Sequence, residues 1–129
     1  MKTALVIDDN ALIREVLRQI LSSLGITQII DAPNGRLGLE HALYDAVDII
    51  FLDLELPDTK GISLLKQLKE ACSVPVVIIT AHSTRENLEQ AIQAGASAFI
   101  TKPFHSQRIA SVLQKLKNSG KNPKKEQLA

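Results

Sequence analysis

Side chains that can take part in chemistry follow the apolar runs of this sequence. Asp8 and Asp9 close the first run, and Asp53 closes the third. Thr80 closes the fourth run, and Lys102 follows the fifth. If the runs form a parallel sheet, their carboxyl ends lie along one edge, where ligands bind at the point of strand-order reversal. Residues far apart in the chain then meet in one pocket of three carboxylates, a hydroxyl and an ammonium.

Three clustered carboxylates require a cation. Two bare carboxylates about 4 Å apart repel by roughly 4 kcal/mol at an effective dielectric constant of about 20. The single ammonium of Lys102 does not balance three anions. Mg²⁺ prefers oxygen ligands and keeps several waters while binding one or two carboxylates. The sequence therefore predicts a Mg²⁺ site, with Mn²⁺ as a substitute, if the first and third strands are neighbours.

A divalent ion beside a lysine is also suited to binding a phosphoryl group. Phosphoryl transfer depends mostly on positioning and on neutralising charge, and a carboxylate can act as the nucleophile. Asp53 is the best placed carboxylate, since it ends a central strand and opens a loop. We expect Thr80 and Lys102 to bind the phosphoryl oxygens.

Strand-like and helix-like apolar periods alternate five times along the chain. The predicted strands are residues 3–8, 27–32, 48–53, 74–80 and 97–101. The second strand is the weaker one and is expected near a sheet edge. In the fourth helix Leu88, Ala91 and Ile92 are predicted to face inward, whereas Arg14 falls outside the apolar stripe of the first helix. This alternation predicts an α/β fold with a parallel sheet, helices on both faces and right-handed crossovers.

The composition indicates one domain with an aliphatic core. Of the 129 residues, 45% are apolar and only 3% aromatic, and the net charge of +1 does not indicate nucleic-acid or membrane binding. No segment reaches the roughly 20 apolar residues of a membrane span, and the first ten residues lack the features of a signal peptide. Cys72 is the single cysteine, which excludes an internal disulfide and fits a cytoplasmic protein.

Charge is distributed unevenly along the chain. Residues 1–114 carry ten basic and thirteen acidic side chains, and residues 115–129 carry five lysines and one glutamate. From about Asn118 the sequence becomes polar and loses its periodicity. We predict a domain over residues 1–117, followed by a basic tail or the start of a linker over residues 118–129. No helix-turn-helix pattern follows the domain, so DNA binding is not supported.

In their order and spacing, these residues resemble the receiver domain of two-component response regulators, the CheY-like family. The resemblance covers residues 3 to about 117. It is carried by Asp8-Asp9, Asp53-Leu54-Glu55-Leu56-Pro57 with Gly61, Thr80-Ala81, Gly95-Ala96 with Phe99, and Lys102-Pro103-Phe104. It implies a doubly wound (βα)5 fold of the flavodoxin-like type, with strand order 2-1-3-4-5.

The resemblance also implies a role for each acid. Asp53 is expected to be the phosphoacceptor, which receives phosphoryl from a phosphohistidine of a sensor kinase or a phosphotransfer protein. Asp9 is expected to bind Mg²⁺ directly and Asp8 through water. A carboxylate oxygen of Asp53 and the backbone carbonyl of Glu55 complete the protein ligands. Such a domain catalyses only its own phosphorylation and dephosphorylation, so no activity on another substrate is expected.

The same resemblance assigns the residues that bind phosphoryl and switch the domain. Thr80 and Ala81 are expected at the phosphoryl group, and Lys102 is expected to bond one of its oxygens. Phe99 is expected to rotate into the space that Thr80 vacates on phosphorylation. The bond between Lys102 and Pro103 is expected to be cis.

The surface that phosphorylation changes is expected to lie in residues 85–117, which comprise the fourth helix, fifth strand and fifth helix. Phosphorylation adds charge and strong acceptors at the strand edge, and it shifts a two-state element only through unequal interaction with the two states. This surface would signal to a downstream target that the sequence does not identify. A homodimer through it is a further expectation.

Four positions depart from the commoner family pattern. Glu55 and His82 stand two residues after Asp53 and Thr80, where side chains flank the phosphoryl group, and we hypothesise that Glu55 alters the lifetime of the phosphorylated state. Phe99 lacks the hydroxyl of the commoner tyrosine, so the steric switch would lose one hydrogen bond. Leu56 stands where methionine is common.

Three alternatives remain open. A haloacid-dehalogenase-type phosphatase also uses an aspartate nucleophile and Mg²⁺, but its nucleophile normally closes the first strand, and this chain is too short for a cap domain. A flavodoxin-like FMN carrier would have a phosphate-binding loop where Asp8 and Asp9 stand, and aromatics to stack the flavin. A degenerate receiver would act only as a scaffold, although the acids, Thr80 and Lys102 are intact.

Overall fold

Five strands alternate with five helices in the computed structural model, which describes residues 1–121. The elements are β1 (Thr3–Ile7), α1 (Ala11–Ser23), β2 (Gln28–Ala32), α2 (Gly35–Tyr44), β3 (Ile49–Asp53), α3 (Gly61–Ala71), β4 (Val76–Thr80), α4 (Arg85–Gln93), β5 (Ala98–Thr101) and α5 (Ser106–Lys121). Every predicted strand is present, and its ends differ from the predicted ones by at most two residues.

The strands form one parallel sheet in the order β2-β1-β3-β4-β5, which confirms the predicted fold. The weakly apolar β2 is an edge strand, as expected. Ile7 is the register partner of Leu52, so Asp8 and Asp53 follow side by side. Asp53 in turn pairs with the residue before Thr80. The topology therefore brings the chemically active strand ends to one edge.

Both faces of the sheet are covered, so the three central strands are fully buried. Such burial explains their nearly continuous apolar sequences. One face packs against α1 and α5 through Leu17, Leu21 and Ile109. The other packs against the remaining helices through residues such as Leu64 and Leu68. Each large aliphatic side chain contributes about 1.5–3 kcal/mol when it is fully buried, and this core fixes the positions of the strand ends.

Helix α4 differs from its predicted orientation. Only Ala91 of the three residues predicted to face inward is buried, whereas Leu88 is 38% and Ile92 59% exposed. The helix packs beside α3 and over β5, the edge strand of the sheet. Because the sheet ends there, the side of α4 that carries Leu88 and Ile92 extends past it.

Helix caps set where the loops end. The Asn10 side chain accepts hydrogen bonds from the backbone N–H groups of Leu12 and Ile13, so α1 begins three residues after Asp8. Thr84 caps α4 by accepting from the N–H of Asn87. These caps leave only short loops between a strand end and the next helix, which limits how far the loop side chains can move.

Helix α5 runs for 16 residues and passes Lys117, where the predicted domain ends. Residues 122–129, which make up most of the predicted tail, lie outside the described residues, so the domain boundary stays a prediction. None of the helices within residues 1–121 combines the length and the apolarity needed to cross a membrane.

Candidate metal centre at the carboxyl edge of the sheet

Three carboxylates meet where β1 and β3 end. One ligand oxygen from each of Asp8, Asp9 and Asp53 lies within 4.8 Å of the other two. Asp8 is fully buried and Asp53 is 3% exposed, whereas Asp9 is exposed. The site thus has two buried anions below a third at its opening.

Backbone donors orient the two buried carboxylates. Oδ1 of Asp8 accepts a hydrogen bond from the N–H of Asn10 at 2.8 Å. Oδ1 of Asp53 accepts one from the N–H of Glu55 at 3.1 Å. The N–H of Asp8 itself donates to the carbonyl of Ala32 at 3.1 Å. One oxygen of each carboxylate is therefore fixed, and the other remains for the site.

Lys102 reaches this pair from the end of β5. Its Nζ lies 2.8 Å from Oδ2 of Asp8 and 3.4 Å from Oδ2 of Asp53. The backbone N–H of Lys102 donates to the carbonyl of Thr80 at 2.7 Å, and its bond to Pro103 is cis. Burial alone would lower the pKa of Lys102, but close contact with the two carboxylates outweighs it, and the pKa is raised above its usual value. Lys102 is therefore a firmly held cation.

This lysine does not neutralise the site fully. Burial raises the pKa of Asp53 above its ordinary value, and the nearby charge of Asp8 adds to that rise. The hydrogen bond from the N–H of Glu55 and the charge of Lys102 act in the opposite direction but do not cancel it. A carboxylate whose pKa is raised in this way gains from a further positive charge.

The donor set fits Mg²⁺. Oδ2 of Asp8 is buried and accepts no hydrogen bond from the described residues, so its only close partner is the charge of Lys102. Opposite ligands of an octahedral Mg²⁺ are about 4.2 Å apart, since each bond is about 2.0–2.1 Å. Adjacent ligands of such an ion are about 3 Å apart, and among three ligands at most one pair is opposite. Three carboxylate oxygens within 4.8 Å of one another are therefore close enough to reach one ion, directly or through a water, after a small adjustment. Glu55, whose backbone carbonyl is predicted as a further oxygen ligand, lies in the adjoining loop two residues after Asp53.

The predicted phosphoryl-binding and switch residues flank the acids. Thr80 is fully buried, and its Oγ1 accepts a hydrogen bond from the N–H of His82 at 3.0 Å. The hydroxyl hydrogen is then free to point toward an anion. Ala81 follows Thr80 and is exposed. Phe99 in β5 is partly buried against the core on the face of the sheet that α2, α3 and α4 cover. The structure thus brings Thr80 to the site and places Phe99 one strand away.

Glu55 and His82 pair with each other. Nε2 of His82 lies 3.0 Å from Oε2 of Glu55, with both side chains more than half exposed. The carbonyl of His82 accepts a hydrogen bond from the side chain of Asn87 at 2.8 Å. The contact between Glu55 and His82 bridges the loops that follow β3 and β4. The sequence did not predict this contact.

Arg14 is a second residue whose place was missed. Its guanidinium donates to the backbone carbonyl of Asp8 at 2.6 Å and bonds Asp31 at 3.1 Å. It therefore holds the peptide that joins Asp8 to Asp9. Periodicity places Arg14 only outside the apolar stripe of α1. Asp31 near the end of the neighbouring strand was the one available signal that this arginine has a fixed partner.

The chain matches the response regulator receiver domain family over residues 4–114. It belongs to that family. The match covers all five strands, the acids and Lys102, and it confirms the resemblance inferred from the sequence motifs.

Two curated relatives and a solved structure agree with this assignment. The chain is 41% identical to a protein-glutamate methylesterase/protein-glutamine glutaminase from Archaeoglobus fulgidus, over 77% of this chain and 29% of the relative. It is 30% identical to the chemotaxis protein CheY of Bacillus subtilis, over 88% of this chain and 96% of CheY. A CheY-like receiver domain protein from Methanospirillum hungatei JF-1 has a TM-score of 0.86 at 26% identity, over 94% of this chain and 98% of that one. The chain thus spans under a third of the methylesterase relative and nearly all of CheY.

Proposed function

We propose that Asp53 accepts a phosphoryl group in a Mg²⁺-dependent reaction and that this modification switches the domain. The observation that carries the proposal is the contact of Lys102 with the buried carboxylates of Asp8 and Asp53 at one strand edge. An oxygen of Asp53 would form the new bond to phosphorus while the phosphorus–nitrogen bond of a phosphohistidine breaks. The histidine leaves with the bonding electron pair.

Four groups of the chain would hold the metal. Asp9, at the open side of the site, binds it directly, and the buried Asp8 binds it through water. Asp53 supplies a carboxylate oxygen and Glu55 its backbone carbonyl. A bound Mg²⁺, or Mn²⁺ in its place, supplies charge neutralisation for the transferring phosphoryl group.

The remaining residues receive the transferred group. Lys102 already contacts Oδ2 of Asp53, so its ammonium is within reach of an oxygen on a phosphoryl group attached there. Thr80 donates its hydroxyl hydrogen to another oxygen, and the small side chain of Ala81 leaves space beside it. These contacts stabilise negative charge without a covalent role for any of the three.

Movement of Thr80 toward the phosphoryl group would vacate space that the ring of Phe99 fills. The change alters the surface of residues 85–117, where the exposed Leu88 and Ile92 already lie. That surface serves a downstream target or a second copy of the chain. Glu55 and His82 modulate how long the phosphorylated state lasts.

The partners follow from the chemistry of the donor. A phosphohistidine on a sensor histidine kinase or a phosphotransfer protein supplies the phosphoryl group, and the domain catalyses only its own phosphorylation and dephosphorylation. The single cysteine supports a cytoplasmic location. The segment 118–129 is proposed as a basic tail or the start of a linker, although its first four residues belong to α5.

A test uses acetyl phosphate as a small donor, with intact mass measured in the presence and absence of Mg²⁺. We expect one phosphoryl group per chain with Mg²⁺, none after chelation, and none on the Asp53→Asn variant. A phosphorylated Asp53→Asn variant would contradict the proposal. Repeated turnover of a phosphate monoester would favour the phosphatase alternative, and a yellow protein with bound flavin would favour the FMN carrier.

A further inference from the structure

The loop of residues 54–60, which follows Asp53, is hydrogen-bonded to the start of α2. Oδ1 of Asp58 accepts a hydrogen bond from the N–H of Gly35 at 2.8 Å. Oδ2 of the same carboxylate accepts one from the N–H of Arg36 at 3.0 Å. Gly35 and Arg36 are the first two residues of α2, so a side chain of this loop caps a different helix from the one it leads into.

Close packing accompanies these hydrogen bonds. A Cβ atom added at Gly35 would come within 2.5 Å of Cγ2 of Thr59. A larger side chain there would require Thr59, and with it the tip of the loop, to shift. The tip of the loop therefore lies directly against the beginning of α2.

The base of the loop is closed by its own backbone. The N–H of Gly61 donates to the carbonyl of Leu54 at 3.1 Å, and a Cβ at Gly61 would lie within 2.4 Å of the Leu54 backbone. Glu55 and Lys60 face each other in an isolated antiparallel bridge. The loop is thus a hairpin closed at its base.

The hairpin is held differently at its base and at its tip. The side chains of Leu54 and Leu56 are partly buried and pack against the core beneath α2, α3 and α4, which anchors the base. Glu55 adds an exposed pair with His82, and Lys60 stands at the N-cap position of α3 without a capping hydrogen bond. Among the described residues, the side-chain hydrogen bonds that tie the tip of the hairpin to another helix are the two of Asp58.

We propose that Asp58 is a positioning residue for the metal site. This proposal rests on the function proposed above. The ligand that Glu55 contributes is a backbone carbonyl, so its direction depends on the path of the hairpin and not on a side-chain rotamer. By tying the tip of the hairpin to α2, Asp58 fixes that path relative to Asp53. Residues behind the ligands of a metal commonly set affinity in this way.

The key variant is Asp58→Ala, which frees the tip while leaving Asp8, Asp9 and Asp53 in place. We expect the dissociation constant for Mg²⁺ to rise by about 10-fold, the lower end of the effect of removing an outer-shell partner. Phosphorylation by acetyl phosphate should be slower at low Mg²⁺ and should recover when Mg²⁺ is saturating. Asp58→Asn keeps one acceptor oxygen and should give an intermediate constant.

Asn34→Ala is the matched control. The Asn34 side chain accepts a hydrogen bond from the N–H of Leu37 at 2.9 Å, so it caps the same helix through a hydrogen bond within α2 and not through one to the hairpin. This variant should lose stability in urea denaturation as Asp58→Ala does, yet bind Mg²⁺ like the wild type. That contrast separates positioning of the hairpin from stabilisation of α2.

Isothermal titration calorimetry with MgCl₂ on the full chain reads out the result without any phosphorylation step. Equal dissociation constants for the wild type, Asp58→Ala and Asp58→Asn would overturn the proposal, as would an equal loss of affinity in Asn34→Ala. If Asp58→Ala does not fold, Asp58→Asn carries the test. A wild-type chain that binds no Mg²⁺ would refute the proposed function, whereas unchanged variants beside a binding wild type would refute only the role of Asp58.

Discussion

Asp48 and Asp53 stand at opposite ends of β3, one just before the strand and one at its last residue. Oδ2 of Asp48 accepts hydrogen bonds from the backbone N–H groups of Lys2 at 2.7 Å and Thr3 at 2.9 Å. The N–H of Thr3, followed by that of Lys2, holds the pKa of Asp48 below its ordinary value. At the other end, burial raises the pKa of Asp53.

The direction of the strands explains this difference. At the amino edge of a parallel sheet, strands begin with N–H groups that have no earlier partner in the strand, and a carboxylate can satisfy them. At the carboxyl edge the strands end in carbonyl groups, which repel carboxylates. The positive ends of the helix dipoles offset this only in part, since their effect falls off within one turn. The amino edge thus uses its acid for stability, whereas the carboxyl edge keeps its acids available for a ligand.

The strongest test of this contrast is Lys102→Met. Without the ammonium, the buried carboxylates of Asp8 and Asp53 lose their cation. We expect the free energy of unfolding without divalent ions to fall by about 3 kcal/mol, the lower end of the cost of breaking a buried ion pair. Mg²⁺ bound as proposed would compete with Lys102 for the same oxygens. The variant should therefore bind Mg²⁺ more tightly, and saturating Mg²⁺ should recover part of the stability.

Urea denaturation with EDTA and with MgCl₂ measures both effects. Lys66→Met is the matched control, because Lys66 is exposed on α3 and its loss should change stability by less than about 0.5 kcal/mol. If Lys102→Met is as stable as the wild type in EDTA, the two edges do not differ in the way described here.

A smaller effect is expected for Asp48→Asn at the amino edge. The amide keeps an acceptor oxygen but loses the charge that strengthens its hydrogen bonds with Lys2 and Thr3. We expect a loss of about 1 kcal/mol at pH 7, since the site is exposed to solvent. The affinity for Mg²⁺ should not change.

This loss should depend on pH with a definite sign. The pKa of Asp48 is lower in the folded chain than its ordinary value of 3.8. Its contribution is therefore present above pH 3.8 and disappears as the pH falls through the folded pKa. Urea denaturation at pH 7 and in strong acid should show the wild type and the variant converging in acid. A constant difference between them would show that the charge of Asp48 is not the cause, and Glu70→Gln on the exposed face of α3 controls for the loss of any acid.

The residues that meet at the carboxyl edge could be predicted from the sequence, because the topology of the sheet alone brings them together. Apolar periodicity locates the strands, and a parallel sheet then places every strand end on one side. Asp8, Asp53, Thr80 and Lys102 therefore meet whatever the details of the loops. The core was predictable for the same reason, except for α4, whose periodicity does not show that the sheet ends beneath it.

The polar contacts across elements could not be predicted in this way. Arg14 bonds the carbonyl of Asp8, Asp48 bonds the start of β1, and Asp58 bonds the start of α2. Each joins a side chain to a backbone group, and every non-proline residue offers the same backbone groups. The sequence therefore holds no signal for the partner, and only the packed arrangement of the elements selects it.

The smallest predicted effect concerns the pair of Glu55 and His82, which lies at the carboxyl edge but is exposed like an ordinary surface pair. Even a fully charged exposed pair contributes only about 0.2–1 kcal/mol, so breaking this contact can change a rate by no more than about fivefold. The pair bridges the loops that follow β3 and β4, and we expect its loss to admit water to the phosphoryl group proposed for Asp53. Dephosphorylation of Glu55→Ala should then be up to about fivefold faster than that of the wild type. The rate is measured as the loss of the phosphorylated mass after the donor is removed.

A double-mutant cycle separates this bridge from a direct effect of Glu55 on the attacking water. If the bridge is what matters, Glu55→Ala, His82→Ala and the double variant should share nearly the same rate, since each breaks the same contact. Independent contributions would instead multiply in the double variant. Unchanged rates in all three variants would show that this exposed pair influences dephosphorylation no more than a pair elsewhere on the surface. The difference between the carboxyl edge and the amino edge would then be confined to the buried residues.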